Sequence, residues 1–187
     1  GRMVDRTIRP LFEDYIRNEV QVIVTVLSLG EYSPDVLAIN AASLALGTSD
    51  IPWNGPVSSV RIGIDESDTF TVNPLLKGIE DRLDLVACGK DSRINMIEVR
   101  ANEVNNEITN KAFQKASEEI EKMQEFQKGI IKEIGKEKLT IEKPELSEEA
   151  LKLFKEKVEP RFEEMVFNEK GNETIEELKD DWIKSFK

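Results

Sequence analysis

The sequence of 187 residues contains no histidine and a single cysteine, Cys88. Without histidine, the side chain that most often serves as a general base near neutral pH and as a zinc ligand is missing. Catalysis within the chain would have to rest on carboxylates, lysines or a group of the substrate. One cysteine cannot close an internal disulfide, which fits a reducing compartment. No apolar run reaches the roughly 18 residues that suggest a membrane span, and no signal peptide is read, so the expected location is the cytoplasm, with no membrane partner. Positive charge is also short: 26 Lys and Arg stand against 37 Asp and Glu, a net charge of -11. That is the wrong sign for a free-standing nucleic-acid binder that relies on its overall charge.

Charge is nevertheless unevenly spread. Arg2, Arg6, Arg9 and Arg17 gather at the N-terminus, and most acids follow Asn102. Any contact with a polyanion is therefore expected at the N-terminal end. Charged residues make up 34% of the chain, above the soluble average of roughly 25%, because the C-terminal half is rich in Glu and Lys.

Periodicity divides the chain. Asp5-Arg-Thr-Ile-Arg-Pro-Leu-Phe12 reads as a short helix or turn, limited by Pro10. Residues 19–28 are β-branched and almost continuously apolar, the pattern of a buried strand. Ser33-Pro34-Asp35 opens a helix, with Ser33 as the cap and Pro34 in the first turn. Residues 36–46 are nearly apolar all round, as in a helix buried on several sides, and Gly47 is expected to end it. Ile51-Pro-Trp-Asn-Gly-Pro56 is a loop. Three or four strands are expected, over 57–64, 69–72, 83–88 and 94–99, with hairpin turns at 65–68 and 89–92.

From Asn105 the period changes. Ile108, Ala112, Ala116, Ile120 and Met123 recur every three or four residues, and Ile130, Ile131 and Ile134 follow. This predicts a long amphipathic helix capped by Asn105 and closed by Gly135. A polar linker over 136–146 precedes a helix capped by Ser147, which Pro160 interrupts. A last helix over 172–186 carries Leu178, Trp182 and Phe186 on one face. The class is α+β, followed by an all-α segment.

Several of these segments resemble, in one order, the polynucleotide phosphorylase family. Asp5-Arg-Thr-Ile-Arg-Pro-Leu-Phe12 resembles its DRPIRPLF run, with Thr7 where proline is usual. Asn18-Glu-Val-Gln-Val-Ile-Val-Thr-Val-Leu-Ser28 resembles its NEVQV strand, and Pro34-Asp-Val-Leu-Ala-Ile-Asn-Ala-Ala-Ser43 its buried PD-x-LA helix. Ile51-Pro-Trp-Asn-Gly-Pro56 resembles IPFNGP, and Leu83-Asp-Leu-Val-Ala-Cys-Gly89 resembles LDLVVAG. Ala101-Asn-Glu103 and Lys132-Glu-Ile-Gly-Lys136 match the edges of the long helix.

The resemblance implies an RNase PH-like core (a ribosomal protein S5 domain 2-like βαβ sheet with helices) over residues 1–138, truncated at its N-terminus, and the start of an all-helical linker domain over 139–187. It implies a parent enzyme, a polyribonucleotide nucleotidyltransferase, that degrades RNA from the 3′ end to nucleoside diphosphates in a homotrimeric ring. Mg2+ and inorganic phosphate would act in the parent, with no cofactor expected in this chain. RNA, other ring subunits and RNA-degradation proteins are the implied partners.

Both reactants of phosphorolysis are anions, so the site needs cationic groups and a metal. The family's catalytic core carries an Asp-x-Lys element. Here the same strand reads Asp84-Leu-Val86, with valine for lysine, and Gly78 and Ile79 stand about where a second aspartate would be sought. The expectation is a core with no catalytic residue and no metal site. Arg2, Arg6 and Arg9 are the candidates for binding RNA phosphates, since arginine forks suit phosphate oxygens. Asp84 reads otherwise as a strand carboxylate in a polar pairing, and Cys88 as a small buried hydrophobe. Trp53 reads as a packing residue before a base-stacking one. Lys115-Ala-Ser117 departs from the Phe-Gly-His common in the family. The competing expectation is a non-catalytic scaffold, like the inactive members of exosome rings, that acts through protein contacts alone.

Overall fold

The computed structural model describes residues 1–76, 82–167 and 172–185. They form two compact units, Gly1–Ile141 and Glu142–Lys187.

The first unit opens with α1 (Arg2–Ile8), continued by a 3-10 turn (Arg9–Leu11) at Pro10. After a stretch without regular secondary structure comes α2 (Pro34–Thr48). Four strands follow: β1 (Ser58–Ile64), β2 (Phe70–Val72), β3 (Leu83–Lys90) and β4 (Arg93–Ala101). The long α3 (Asn106–Ile134) closes the unit. The sheet has the order β2-β1-β3-β4 and is antiparallel throughout.

Side-chain alternation sends the two faces of the sheet to different helices. Val60, Ile62 and Ile64 of β1 and Leu83, Leu85 and Ala87 of β3 pack on Ala112, Ala116 and Ile120 of α3. On the other face, Val86, Cys88 and Met96 pack on Ile39 of α2, with Met3 and Val4 of α1 against them. Covered on both sides, β3 is buried from Leu83 to Gly89, which explains its continuous apolar run. Both predicted turns form. Asp65 accepts from the N–H of Ser67 and Thr69 at 2.8 and 2.9 Å. Asp91 and Ser92, at φ 49 and 61°, make the two-residue turn that matches strand twist. Gly89 precedes it at a register shift, where a Cβ would meet the Arg93 carbonyl oxygen at 2.4 Å.

Four expectations are corrected. Residues 19–28 are not a buried strand: they take no regular secondary structure and are largely exposed, with Leu27 at 93% and Ile23 at 75%. The pattern records β-propensity, but a strand exists only where a neighbour takes its backbone groups. Among the described residues, 17–30 make no backbone–backbone hydrogen bond. Gly47 does not end α2, which runs on to Thr48. It lies where a Cβ would meet Ile131 Cδ1 at 2.5 Å, so it lets α3 approach α2 closely. Gly135 does follow α3, but at φ -68° rather than in the left-handed conformation. Ser33 sits at the cap position of α2, yet its hydroxyl donates to Asp35 Oδ1 instead of accepting a helix N–H, and Asp35 accepts from Val36 N at 2.8 Å.

The second unit contains α4 (Glu148–Lys157), α5 (Glu159–Val166) and α6 (Asn172–Lys184). Ser147 caps α4, accepting from Ala150 N at 3.2 Å, and Pro160 falls in the first turn of α5. Phe154 and Trp182 meet edge to face at 5.5 Å. Phe186 lies outside the described residues, as do Gly78 and Ile79.

Candidate phosphate-binding cleft

Where α1 crosses the sheet, its spacing of four puts Arg2 and Arg6 on one side of the helix. Strand parity puts Asp84 and Val86 of β3, and Glu98 and Arg100 of β4, on the facing side of the sheet. Together with Asp35 at the start of α2 and Arg61 of β1 they line a cleft of about 530 Å³.

The two classes of arginine in this cleft differ in their partners. Arg61 is the buried one. Its Nε donates to Asp84 Oδ1 at 2.7 Å and its Nη2 to Asp84 Oδ2 at 2.6 Å, with side-chain exposures of 12% and 11%. Its Nη1 also lies 3.9 Å from Asp35 Oδ2. This fork pairing is the geometry in which a guanidinium binds a carboxylate best. Arg2, Arg6 and Arg100 are exposed at the rim and make no ion pair among the described residues. The cleft thus sets four guanidinium groups against three carboxylates, Asp35, Asp84 and Glu98, and its small positive surplus lies at the rim.

Arg9 belongs elsewhere. Its Nη2 lies 2.5 Å from Asp5 Oδ1 and its Nε donates to the same carboxylate at 3.0 Å. It lines a separate, largely apolar cavity of about 680 Å³ between α1 and the stretch that follows it, through Val20, Val22, Val24 and Val26. The structure therefore brings two of the three predicted arginines together, parts the third from them, and adds Arg100. The signal for Arg100 is its place two residues beyond Glu98 on a strand of known register, which a reading by segments passes over.

A hard divalent cation needs carboxylate oxygens free to coordinate it. Asp84, fully engaged by Arg61, and Asp35 beside the same guanidinium do not fit Mg2+. Among the described residues no group of three or more metal-ligating side chains is arranged to hold a metal. Cys88 is buried, donates to Ser59 Oγ at 3.3 Å, and its thiol is pushed up by burial. Trp53 packs near Phe12, ring centres 6.4 Å apart, and its indole N–H donates to the Ile8 carbonyl at 3.2 Å, so it is a packing residue. On α3, Lys115 pairs with Glu119 at 3.4 Å, and Lys111, Lys122 and Lys128 each meet a glutamate within a turn.

A family model described as the 3′ exoribonuclease family, domain 1, matches residues 1–52. The chain is 42% identical over 170 residues to the polyribonucleotide nucleotidyltransferase of Syntrophomonas wolfei, a match covering 90% of this chain and 24% of that protein. It is 44% identical over 158 residues to that of Thermosipho melanesiensis, covering 83% and 22%. The match to the Caldicellulosiruptor saccharolyticus protein is 38% over 191 residues, covering 100% and 27%. The chain thus spans about a quarter of the length of the curated relatives it matches. Among solved structures, rice (Oryza sativa) Rrp46 is 15% identical with a TM-score of 0.49, over 55% of this chain and 49% of that one.

Proposed function

Because the chain belongs to the polyribonucleotide nucleotidyltransferase family, we infer that it forms part of a 3′-to-5′ phosphorolytic exoribonuclease, as a non-catalytic RNase PH-like core that contributes to ring assembly and RNA guidance. Residues 1–138 are this core, and residues 139–187 begin a helical linker domain. The protein works in the cytoplasm, in a homotrimer.

The observation that carries this reading is the division of labour in the cleft. Splitting a phosphodiester with orthophosphate brings two anions together, which demands free cationic groups and a metal at the reacting atoms. Here the deepest guanidinium, Arg61, is held by Asp84, and Val86 brings a hydrocarbon where an ammonium would be needed. The rim arginines Arg2, Arg6 and Arg100 can still hold phosphodiester oxygens one at a time, which guides a strand without cleaving it. The net charge of -11 does not forbid this, because beyond about 10 Å charges are largely screened and the local rim decides.

The test is to incubate the chain with short single-stranded RNA, Mg2+ and orthophosphate, and in parallel to measure RNA binding at low salt. No release of nucleoside diphosphates is expected, together with binding that Arg2→Ala and Arg6→Ala jointly weaken. Robust release of diphosphates would refute the inactive core, and absence of binding at low salt would refute guidance and leave protein contacts alone.

A further inference from the structure

Glu98 is the one charge of the cleft that phosphate binding leaves unexplained. On β4 it shares a face with Arg100, two positions on, and it stands opposite Val86 of β3, whose side chain offers no hydrogen bond. It is exposed, and among the described residues its carboxylate makes neither an ion pair nor a hydrogen bond. The other two carboxylates are committed. Asp84 is held by both arms of the Arg61 fork, at 2.7 and 2.6 Å. Asp35 accepts from Val36 N at 2.8 Å and lies 3.9 Å from the same guanidinium.

A carboxylate repels phosphate, so a rim that only held phosphate oxygens would bind better without Glu98. An ionised carboxylate accepts hydrogen bonds and gives none. Its natural occupant is a hydroxyl or amino donor that arrives together with phosphates. A ribonucleotide strand supplies this combination at every step: phosphodiester oxygens for the guanidinium groups, and a 2′-hydroxyl proton for a carboxylate. Base amino groups are donors too, but they change with sequence, whereas phosphate contacts made from Arg2, Arg6 and Arg100 do not. Glu98 and Arg100 are roughly 7 Å apart along their strand, within the span of one nucleotide.

We propose that Glu98 is a specificity-determining residue, accepting a hydrogen bond from the 2′-hydroxyl of a strand whose phosphates lie on Arg2, Arg6 and Arg100. This rests on the guidance role inferred for the cleft and adds to it a means of discrimination. A deoxyribose strand or inorganic polyphosphate carries the phosphates without the hydroxyl, and meets Glu98 as repulsion with nothing in return. One side chain thus favours one polyanion and opposes the others. The surplus of a single positive charge in the cleft makes that repulsion matter.

The test is binding of one short unstructured sequence to the full chain at low salt, with the sugar as ribose, 2′-deoxyribose or 2′-fluororibose. The fluoro sugar has no proton to give. The ribose strand should bind about fivefold more tightly than the other two, the size expected of one hydrogen bond to a charged acceptor at an exposed site. Glu98→Ala should erase the difference and should tighten binding of the deoxy strand and of inorganic polyphosphate. Glu98→Gln keeps an acceptor oxygen without the charge, so it should tighten all three strands and retain part of the preference. Equal binding of the three sugars by the unaltered chain would overturn the role of Glu98 and leave guidance standing. So would a Glu98→Ala variant that tightens all strands alike, or a preference that follows the base rather than the sugar. Failure of every strand to bind would sink guidance and this discrimination together.

Discussion

Arg61 and Asp84 reach each other diagonally across β1 and β3, two hydrogen bonds of 2.7 and 2.6 Å joining one guanidinium to one carboxylate. Both side chains are close to nine-tenths buried. A pair taken this far out of water gains little net stability as a pair, but removing one partner leaves the other charge uncompensated. Asp84→Ala should therefore cost about 3 kcal/mol in urea denaturation, softened in part by Asp35 near the same guanidinium. Replacing both residues with apolar ones, as in Arg61→Met with Asp84→Leu, should cost clearly less. A single variant that leaves the midpoint unmoved would show that the pair does not hold the strands.

A second buried polar knot ties α3 to α2 and β1. Gln127 is 1% exposed. Its Oε1 accepts from Ser43 Oγ at 2.7 Å, and its Nε2 donates to the Val57 carbonyl at 3.0 Å and to Ser58 Oγ at 2.9 Å. Ser43 Oγ in turn accepts from Val57 N at 3.0 Å. Gln127→Leu keeps the volume but strands several polar groups, so a loss of about 3 kcal/mol is expected. In a double-mutant cycle Ser43→Ala should cost much less once Gln127 is gone, because the two share one network.

The positions of the elements were largely legible, and their environments were not. The strands and both hairpin turns follow from alternation, from the continuous apolar run of β3 and from turn residues, because those signals are local. The apolar run over 19–28 misled because burial depends on a neighbour that local sequence does not contain. Gln124 and Gln127 extend the buried stripe of α3 beyond Ile120, but a hydrophobic period cannot reveal glutamines that are buried through their hydrogen bonds. Similarly, Gly47 reads as a helix end until Ile131 of α3 is seen against it. In the cleft, Arg2 and Arg6 were legible from clustering. The capture of Asp84 by Arg61, 23 residues away in sequence, depends on the register of β1 with β3.

Cys88 should behave as an inert thiol whose ionisation opposes folding. Burial raises its pKa, so the folded chain keeps the proton at a pH where the unfolded chain has lost it. The sign follows by linkage. This contribution to stability is intact below the ordinary thiol range, about 8.5, and is lost as pH rises from there towards the raised folded value. A thiol reagent at pH 8 should label Cys88 only when urea unfolds the chain. The fall in stability between about pH 8.5 and 10 should be shallower in Cys88→Ala. Prompt labelling of the native chain would contradict the burial.

The arginines of α1 can be told apart by salt. Each phosphate neutralised on a single strand contributes about 0.7 to the slope of log affinity against log salt. Arg2 and Arg6 face the cleft without an ion pair among the described residues, whereas Arg9 is held on Asp5. Joint replacement of Arg2 and Arg6 by alanine should lower the slope by about 1.4 and weaken binding of all short RNAs alike, since phosphate contacts carry no base information. Arg100→Ala should remove about 0.7 more. Arg9→Ala deletes a charge that Asp5 already offsets, and should leave the slope nearly unchanged. An Arg9→Ala variant as salt-insensitive as the double variant would place the strand along the other side of α1, by the apolar cavity, and the cleft would lose its part in guiding RNA.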